Sequence, residues 1–137
     1  MRVILDTNVL LAAMMAPAGP PDQLINAFLD DDFVLLSSEE QLEELARVSR
    51  YSTIRRRIKP SQVGSLVNDI RELSVIVRRL PRVSVSRDPD DNFLLAMAQA
   101  GEADYLVTGD KRDLLNIKRH GKTRIVTVRQ MVKILKL

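Results

Sequence analysis

The sequence predicts an α/β fold in three layers, α/β/α, with a mainly parallel central sheet. Three observations predict it. Short apolar runs recur along the chain and stop at polar or turn residues, as strands buried on both faces do. Between them lie stretches whose apolar residues fall three and four apart, the period of an amphipathic helix. The chain has 137 residues with 45% hydrophobic and 28% charged side chains, enough to bury one core. No repeat, low-complexity tract or Gly/Ser linker divides it, so residues 1–137 read as a single domain.

The elements follow in order. Val3-Ile4-Leu5 is a short buried strand that stops at Asp6. Pro17 to Pro21 breaks the chain, and Leu24, Ile25, Phe28 and Leu29 then recur at helical spacing. Phe33 to Leu36 reads as a second buried strand. Ser38 with Gln41 three residues later forms a capping box, and Leu42, Leu45 and Val48 continue it as a helix. After Pro60, the residues Val63, Leu66, Val67, Ile70 and Leu73 make one apolar face of a longer helix. Val83 to Val85 reads as a weak strand. Asp91 to Ala100 reads as a helix, with Gly101 as its stop signal. Tyr105-Leu106-Val107 and Arg124 to Val128 are further strands, and Thr127 with Gln130 opens a last helix through a second capping box.

Composition excludes several classes of function. There is no Cys, so no disulfide, thiolate nucleophile or cysteine-bound metal is available, and a reducing cytoplasm is the compartment read for the chain. The longest apolar run, Val9 to Ala16, is 8 residues, too short to span a bilayer, and the N-terminus lacks the pattern of a signal peptide. With 4% aromatics and no Trp, base stacking is not the main design. The net charge of +3 hides an asymmetry: residues 1–46 carry one base, Arg2, against nine acids, whereas residues 47–137 carry 20 bases against nine acids. A chain so divided suits an anionic partner beside a collection of carboxylates.

The acids fall at strand ends. Asp6-Thr7-Asn8 closes the first strand, Glu39, Glu40, Glu43 and Glu44 lie on the helix after the second, Asp88-Pro89-Asp90-Asp91-Asn92 follows the third, and Thr108-Gly109-Asp110-Lys111-Arg112-Asp113 follows Tyr105-Leu106-Val107. In a parallel sheet these ends share one edge, the edge where open α/β sheets bind ligands. Each acid alone has a plain structural explanation: Asp caps helices and builds turns, and the glutamates suit a solvated helix face. Together they would repel one another, which a hard divalent cation relieves. Carboxylates without Cys or clustered His favour Mg²⁺ or Mn²⁺ over zinc. Glu44 lies at the margin of the apolar stripe made by Leu42 and Leu45, with Glu40 one turn earlier as the alternative.

These segments resemble the PIN-domain nucleases. Asp6-Thr7-Asn8 matches the opening of that family, Leu42-Glu43-Glu44-Leu45 its second acidic segment, Arg87 to Ala96 its third and Leu106 to Leu114 its fourth. The resemblance runs from Arg2 to the final helix and is closest to a subgroup of toxin components similar to VapC toxins. It implies a parallel sheet flanked by helices, an acidic pocket holding Mg²⁺ or Mn²⁺, and hydrolysis of RNA by metal-activated water. Carried over by position, the catalytic and metal-binding acids are Asp6, Glu44, Asp91 and Asp110. Asn8, Thr108 and Asp113 are supporting residues, and Asp88 or Asp90 are alternatives to Asp91. The resemblance also implies a small antitoxin partner, with a homodimer as a further possibility. The apolar residues Leu24, Ile25, Phe28 and Leu29 would serve such a face or fill the core.

Metal-assisted hydrolysis needs no Ser, Cys or His nucleophile, and the one His, His120, lies in a basic stretch rather than among the acids. For the phosphates of RNA the sequence offers Arg55, Arg56 and Arg57 in one cluster and Lys111, Arg112, Lys118 and Arg119 in another. Two rivals stand beside this reading. A haloacid-dehalogenase-like phosphatase also starts with Asp after a strand, but it needs an acid two residues on, and position 8 is Asn. A non-catalytic module could use the acidic pocket only to bind RNA or a protein partner.

Overall fold

The structure is a computed structural model that describes residues 1–109 and 112–137. Its elements run β1 (Arg2–Leu5), α1 (Thr7–Met15), α2 (Pro20–Leu29), β2 (Val34–Ser37), α3 (Glu39–Val48), α4 (Ser52–Arg55), α5 (Pro60–Leu73), β3 (Val75–Ile76), α6 (Pro89–Gly101), β4 (Tyr105–Thr108), α7 (Arg112–Ile117), β5 (Arg119–His120), β6 (Thr123–Thr127) and α8 (Val128–Ile134). The sheet order is β3-β2-β1-β4-β6-β5. Among the described residues only the β5–β6 pair is antiparallel. β1 and β4 are central, with Leu5 opposite Val107, and Thr108 lies opposite Thr127 of β6.

Alternation along the strands builds the layers. Val3, Leu5, Leu35, Val107 and Val126 point into one core with α1, α2, α3, α5 and α8. Ile4, Leu36, Leu106 and Ile125 point into the other, against α6 and α7. Both faces of the central strands are thus covered, which is why these strands read as unbroken apolar runs.

Several expectations are corrected. Val83 to Val85 is not a strand; the third strand is Val75–Ile76, directly after α5, and residues 77–88 are irregular. The hairpin strand β5 was not legible, being only two residues long. Val128 belongs to α8 rather than β6. The Ser38–Gln41 capping box is half formed. The Ser38 hydroxyl accepts the Gln41 N–H at 3.1 Å, but the Gln41 side chain turns inward to the Leu5 carbonyl and the Ser37 hydroxyl, both at 2.7 Å. The Thr127–Gln130 box forms in both directions. Of the apolar residues considered for a docking face, Leu24, Ile25 and Phe28 are core, and only Leu29 is exposed.

Gly101 is the last residue of α6 and not its stop signal; Glu102 takes the left-handed position with φ 53°. Gly101 is small because β2 is close. A Cβ there would lie 2.7 Å from Leu36 Cδ1 and 3.0 Å from Val77 Cγ2, and Leu36 is fully buried. Gly101→Ala should therefore destabilise the protein by up to about 2 kcal/mol in denaturant unfolding, overpacking of about 1–3 kcal/mol outweighing the gain of about 1 kcal/mol in helix propensity. A more stable variant would show that β2 and α6 can separate freely.

Candidate metal centre

The carboxyl edge of the sheet is built by strand ends and helix starts. Asp6 ends β1 and caps α1. It is 2% exposed and is fixed on three sides: its backbone N–H donates to the Val107 carbonyl at 2.9 Å, its Oδ1 accepts the Asn8 N–H at 3.3 Å, and its Oδ2 accepts the Thr108 hydroxyl at 3.0 Å. Thr108 is itself fully buried, so the end of β4 orients the acid at the end of β1. Burial of a carboxylate requires such donors or a cation.

Asp91 reaches the same edge from the opposite layer. α6 leads into β4, so its first turn lies at the carboxyl end of the sheet. The helix starts at Pro89, two residues before the Asp91 boundary read from the sequence. Asp88 is the N-cap, accepting the Asp90 N–H at 2.9 Å, and Asp91 lies within the first turn, 1% exposed. Burial separates the three candidates here: Asp90 is exposed, Asp88 is half-buried and Asp91 is enclosed. Asp91 Oδ2 accepts the Ser86 hydroxyl at 3.1 Å.

Glu44 is half-buried on α3. It lines a cleft of about 410 Å³ with Glu40, Glu43, Arg47, Asp90 and Phe93, between α3 and the start of α6. Glu39 stands apart from this group. Its carboxylate meets Arg71 at 2.9 Å, and that guanidinium, chiefly through the hydrogen bond, holds the carboxyl below its ordinary value. At the opposite, amino edge of the sheet, the Arg2 N–H and then Lys122 do the same for Asp104.

Asp110 and Lys111 lie outside the described residues. Asn8 is exposed in the first turn of α1, and Asp113 is exposed in the first turn of α7. Among the described residues, no three acids or histidines gather tightly enough to hold a metal ion. The donor set nonetheless suits a hard divalent cation: two enclosed carboxylates, a buried hydroxyl beside one of them, and no cysteine in the chain.

Two positioning residues were not singled out from the sequence. Gln41, 1% exposed, ties α3 to the carbonyl of Leu5, next to Asp6. Its only sequence signal was the capping pattern, which pointed it elsewhere. Ser86 gave no signal at all, since it precedes its helix in a segment that reads as the end of a strand.

The basic residues divide between two places. Arg55, Arg56 and Arg57 are exposed beyond the C-terminal end of α3, at the far end of the α3–α5 pair from Glu39 and Arg71. Lys118 and Arg119 line a groove of about 540 Å³ with Arg124, Thr127 and Gln130 along the outer side of β6. Thr127 also lines a neighbouring cleft of about 430 Å³ with Thr108, Gly109 and Arg129. Arg112 is exposed at the start of α7. His120 sits on β5 with Nε2 3.1 Å from Gln99 Oε1, near the C-terminal end of α6.

The sheet is thus mainly parallel, with enclosed carboxylates at the end of its first strand and before its fourth. The sequence profile of the PIN domain matches residues 2–112, and the chain belongs to the PIN-domain family. Members of that family are generally nucleases, and those nucleases generally use divalent metals. The chain is also similar to an uncharacterized protein of Methanocaldococcus jannaschii, 26% identical over 122 residues, which cover 88% of this chain and 77% of that protein. Among the described residues no helix is long and apolar enough to cross a membrane.

Proposed function

We propose that this protein is a Mg²⁺- or Mn²⁺-dependent endoribonuclease, the toxin of a toxin–antitoxin pair acting in the cytoplasm, with residues 1–137 forming one catalytic domain. The observation that carries the reading is the enclosure of Asp6 and Asp91 at one sheet edge, approached from opposite layers. Asp6, Glu44, Asp91 and Asp110 are the proposed catalytic and metal-binding residues. When bound, the cation lowers the pKa of a water and neutralises phosphate charge. Thr108 and the Asn8 N–H hold the Asp6 carboxylate in place. Asn8 and Asp113 are further supporting groups at the rim. The half-buried position of Glu44 in the α3–α6 cleft suits a carboxylate that meets solvent and substrate together. The test is cleavage of a single-stranded RNA by purified protein in Mg²⁺, Mn²⁺ and EDTA, beside DNA of the same sequence. Metal-dependent cutting of RNA alone is expected; cutting of neither strand would leave the non-catalytic binding module as the better reading.

The groove beside β6 supports a path for the RNA backbone, since Thr127 joins it to the cleft at Thr108. On this reading Arg112, Lys118 and Arg119, with Lys111, contact phosphates along the path that this groove opens, and Arg55, Arg56 and Arg57 contact them elsewhere on the surface. Changing Lys118 and Arg119 to Glu should weaken binding uniformly across RNA sequences and flatten its dependence on salt, by about 0.7 in log–log slope for each phosphate no longer neutralised. Changing Arg55, Arg56 and Arg57 to Glu should give the same uniform loss to a smaller extent. Filter binding at several salt concentrations measures both. A larger effect at Arg55 to Arg57 would move the path to the α3–α5 end. For the antitoxin, Leu29 alone of the four apolar residues considered on α2 is exposed, which leaves little apolar surface there, and a homodimer through those residues has the same limit.

A further inference from the structure

We propose that Ser86 is a positioning residue that sets the carboxylate of Asp91 for cation binding, an inference that rests on the metal-dependent reading above. The Ser86 hydroxyl donates to Asp91 Oδ2 at 3.1 Å and accepts the Asp88 N–H at 3.2 Å. A serine has one proton to give, and here it goes to Asp91. That donation is not needed to start the helix. Asp88 is already the N-cap, and it receives the Asp90 N–H on its own side chain.

The serine is itself held from both sides. Its N–H donates to Asn92 Oδ1 and its carbonyl accepts Asn92 Nδ2–H, each at 2.8 Å. Asn92 is the residue after Asp91, so the segment bearing the hydroxyl and the helical turn bearing the carboxylate are locked into one unit. A carboxylate in a first helical turn can still rotate about its last torsion. A hydroxyl pinned on Oδ2 removes that rotation. Oriented groups of this kind govern metal affinity, and their loss costs about 10–100-fold. The irregular segment before α6 thus has a chemical role, because it carries the donor that orients the acid.

The experiment is a titration of the whole chain with Mn²⁺, free aquo-ion being followed by electron paramagnetic resonance. Wild-type protein is expected to bind Mn²⁺, Ser86→Ala to bind it about 10–100-fold more weakly, and Ser86→Thr, which keeps the hydroxyl, to restore affinity to within a few-fold. Without metal, Ser86→Ala loses the two hydrogen bonds of the hydroxyl and should show only a modest fall in Tm, with the fold kept. If Ser86→Ala yields no folded protein, Ser86→Cys, a weak donor of similar size, takes its place with the same expectation. Unchanged affinity in the variant, or failure of Ser86→Thr to restore it, overturns the role of Ser86 and leaves the metal reading standing. Wild-type protein that takes up no Mn²⁺ overturns the metal reading and this role with it.

Discussion

Asp6→Asn is expected to abolish phosphodiester cleavage while the protein stays folded and still binds nucleic acid. The substitution keeps the shape of the side chain. Its carbonyl oxygen can accept the Thr108 hydroxyl or the Asn8 N–H, so the junction of β1, α1 and β4 keeps its geometry. The negative charge is lost, and a hard cation loses a ligand that contributes both oxygen and charge. The fall in rate should exceed the roughly 100-fold upper range for groups that only orient a ligand. Cleavage rates in Mg²⁺, read beside a melting curve and a gel shift with the same RNA, check all three parts of this expectation. A variant that cuts at the wild-type rate would remove Asp6 from the ligand set.

Mg²⁺ or Mn²⁺ should also stabilise the folded protein strongly. Any ligand that binds only the native state adds stability by mass action, about 2.7 kcal/mol at a hundred times its dissociation constant. For a chain of this length that is a rise in Tm of roughly 5–15 °C. EDTA should reverse it, and Asp6→Asn should show little of it. The physical source is the enclosure of Asp6 and Asp91, 2% and 1% exposed at one edge of the sheet; a divalent ion offsets the cost of confining their charge. Absence of a shift at millimolar metal would argue against a specific site.

Most of the fold was legible because its signals are local. β1, β2, β4 and β6 are apolar runs buried on both faces, and α3, α5 and α8 carry clear periodicity or caps. The two-residue strands β3 and β5 are set by which neighbour they meet, and neither offers a run long enough to read. Val83 to Val85 failed for the converse reason: two valines around a serine alternate like a strand, but Val85 is 56% exposed and pairs with nothing regular. At the site, the burial of Asp6 followed from its place at a strand end. That Asp91 rather than Asp90 is enclosed depends on the helix starting at Pro89, two residues before the expected boundary. Gln41 and Ser86 act across the fold or from a loop, and short motifs do not reveal such placements. Gly101 was identified as special for the wrong reason, a turn instead of a close approach.

The shortness of β3 and β5 has a consequence for how the molecule keeps to itself. They are the outermost strands of the sheet, two residues each. An exposed edge strand is a template on which another chain can stack, and long flat edges seed fibres. An edge of two residues offers an incoming strand only about two rungs of backbone pairing, too few to hold it. One of these edges turns antiparallel to its neighbour and begins with Arg119, a charge that an aggregating strand would have to bury. The sheet therefore offers little template for growth through either outermost strand. A protein partner would have to engage the helices and their side chains rather than extend the sheet, and the protein should remain free of amyloid-like assembly at high concentration.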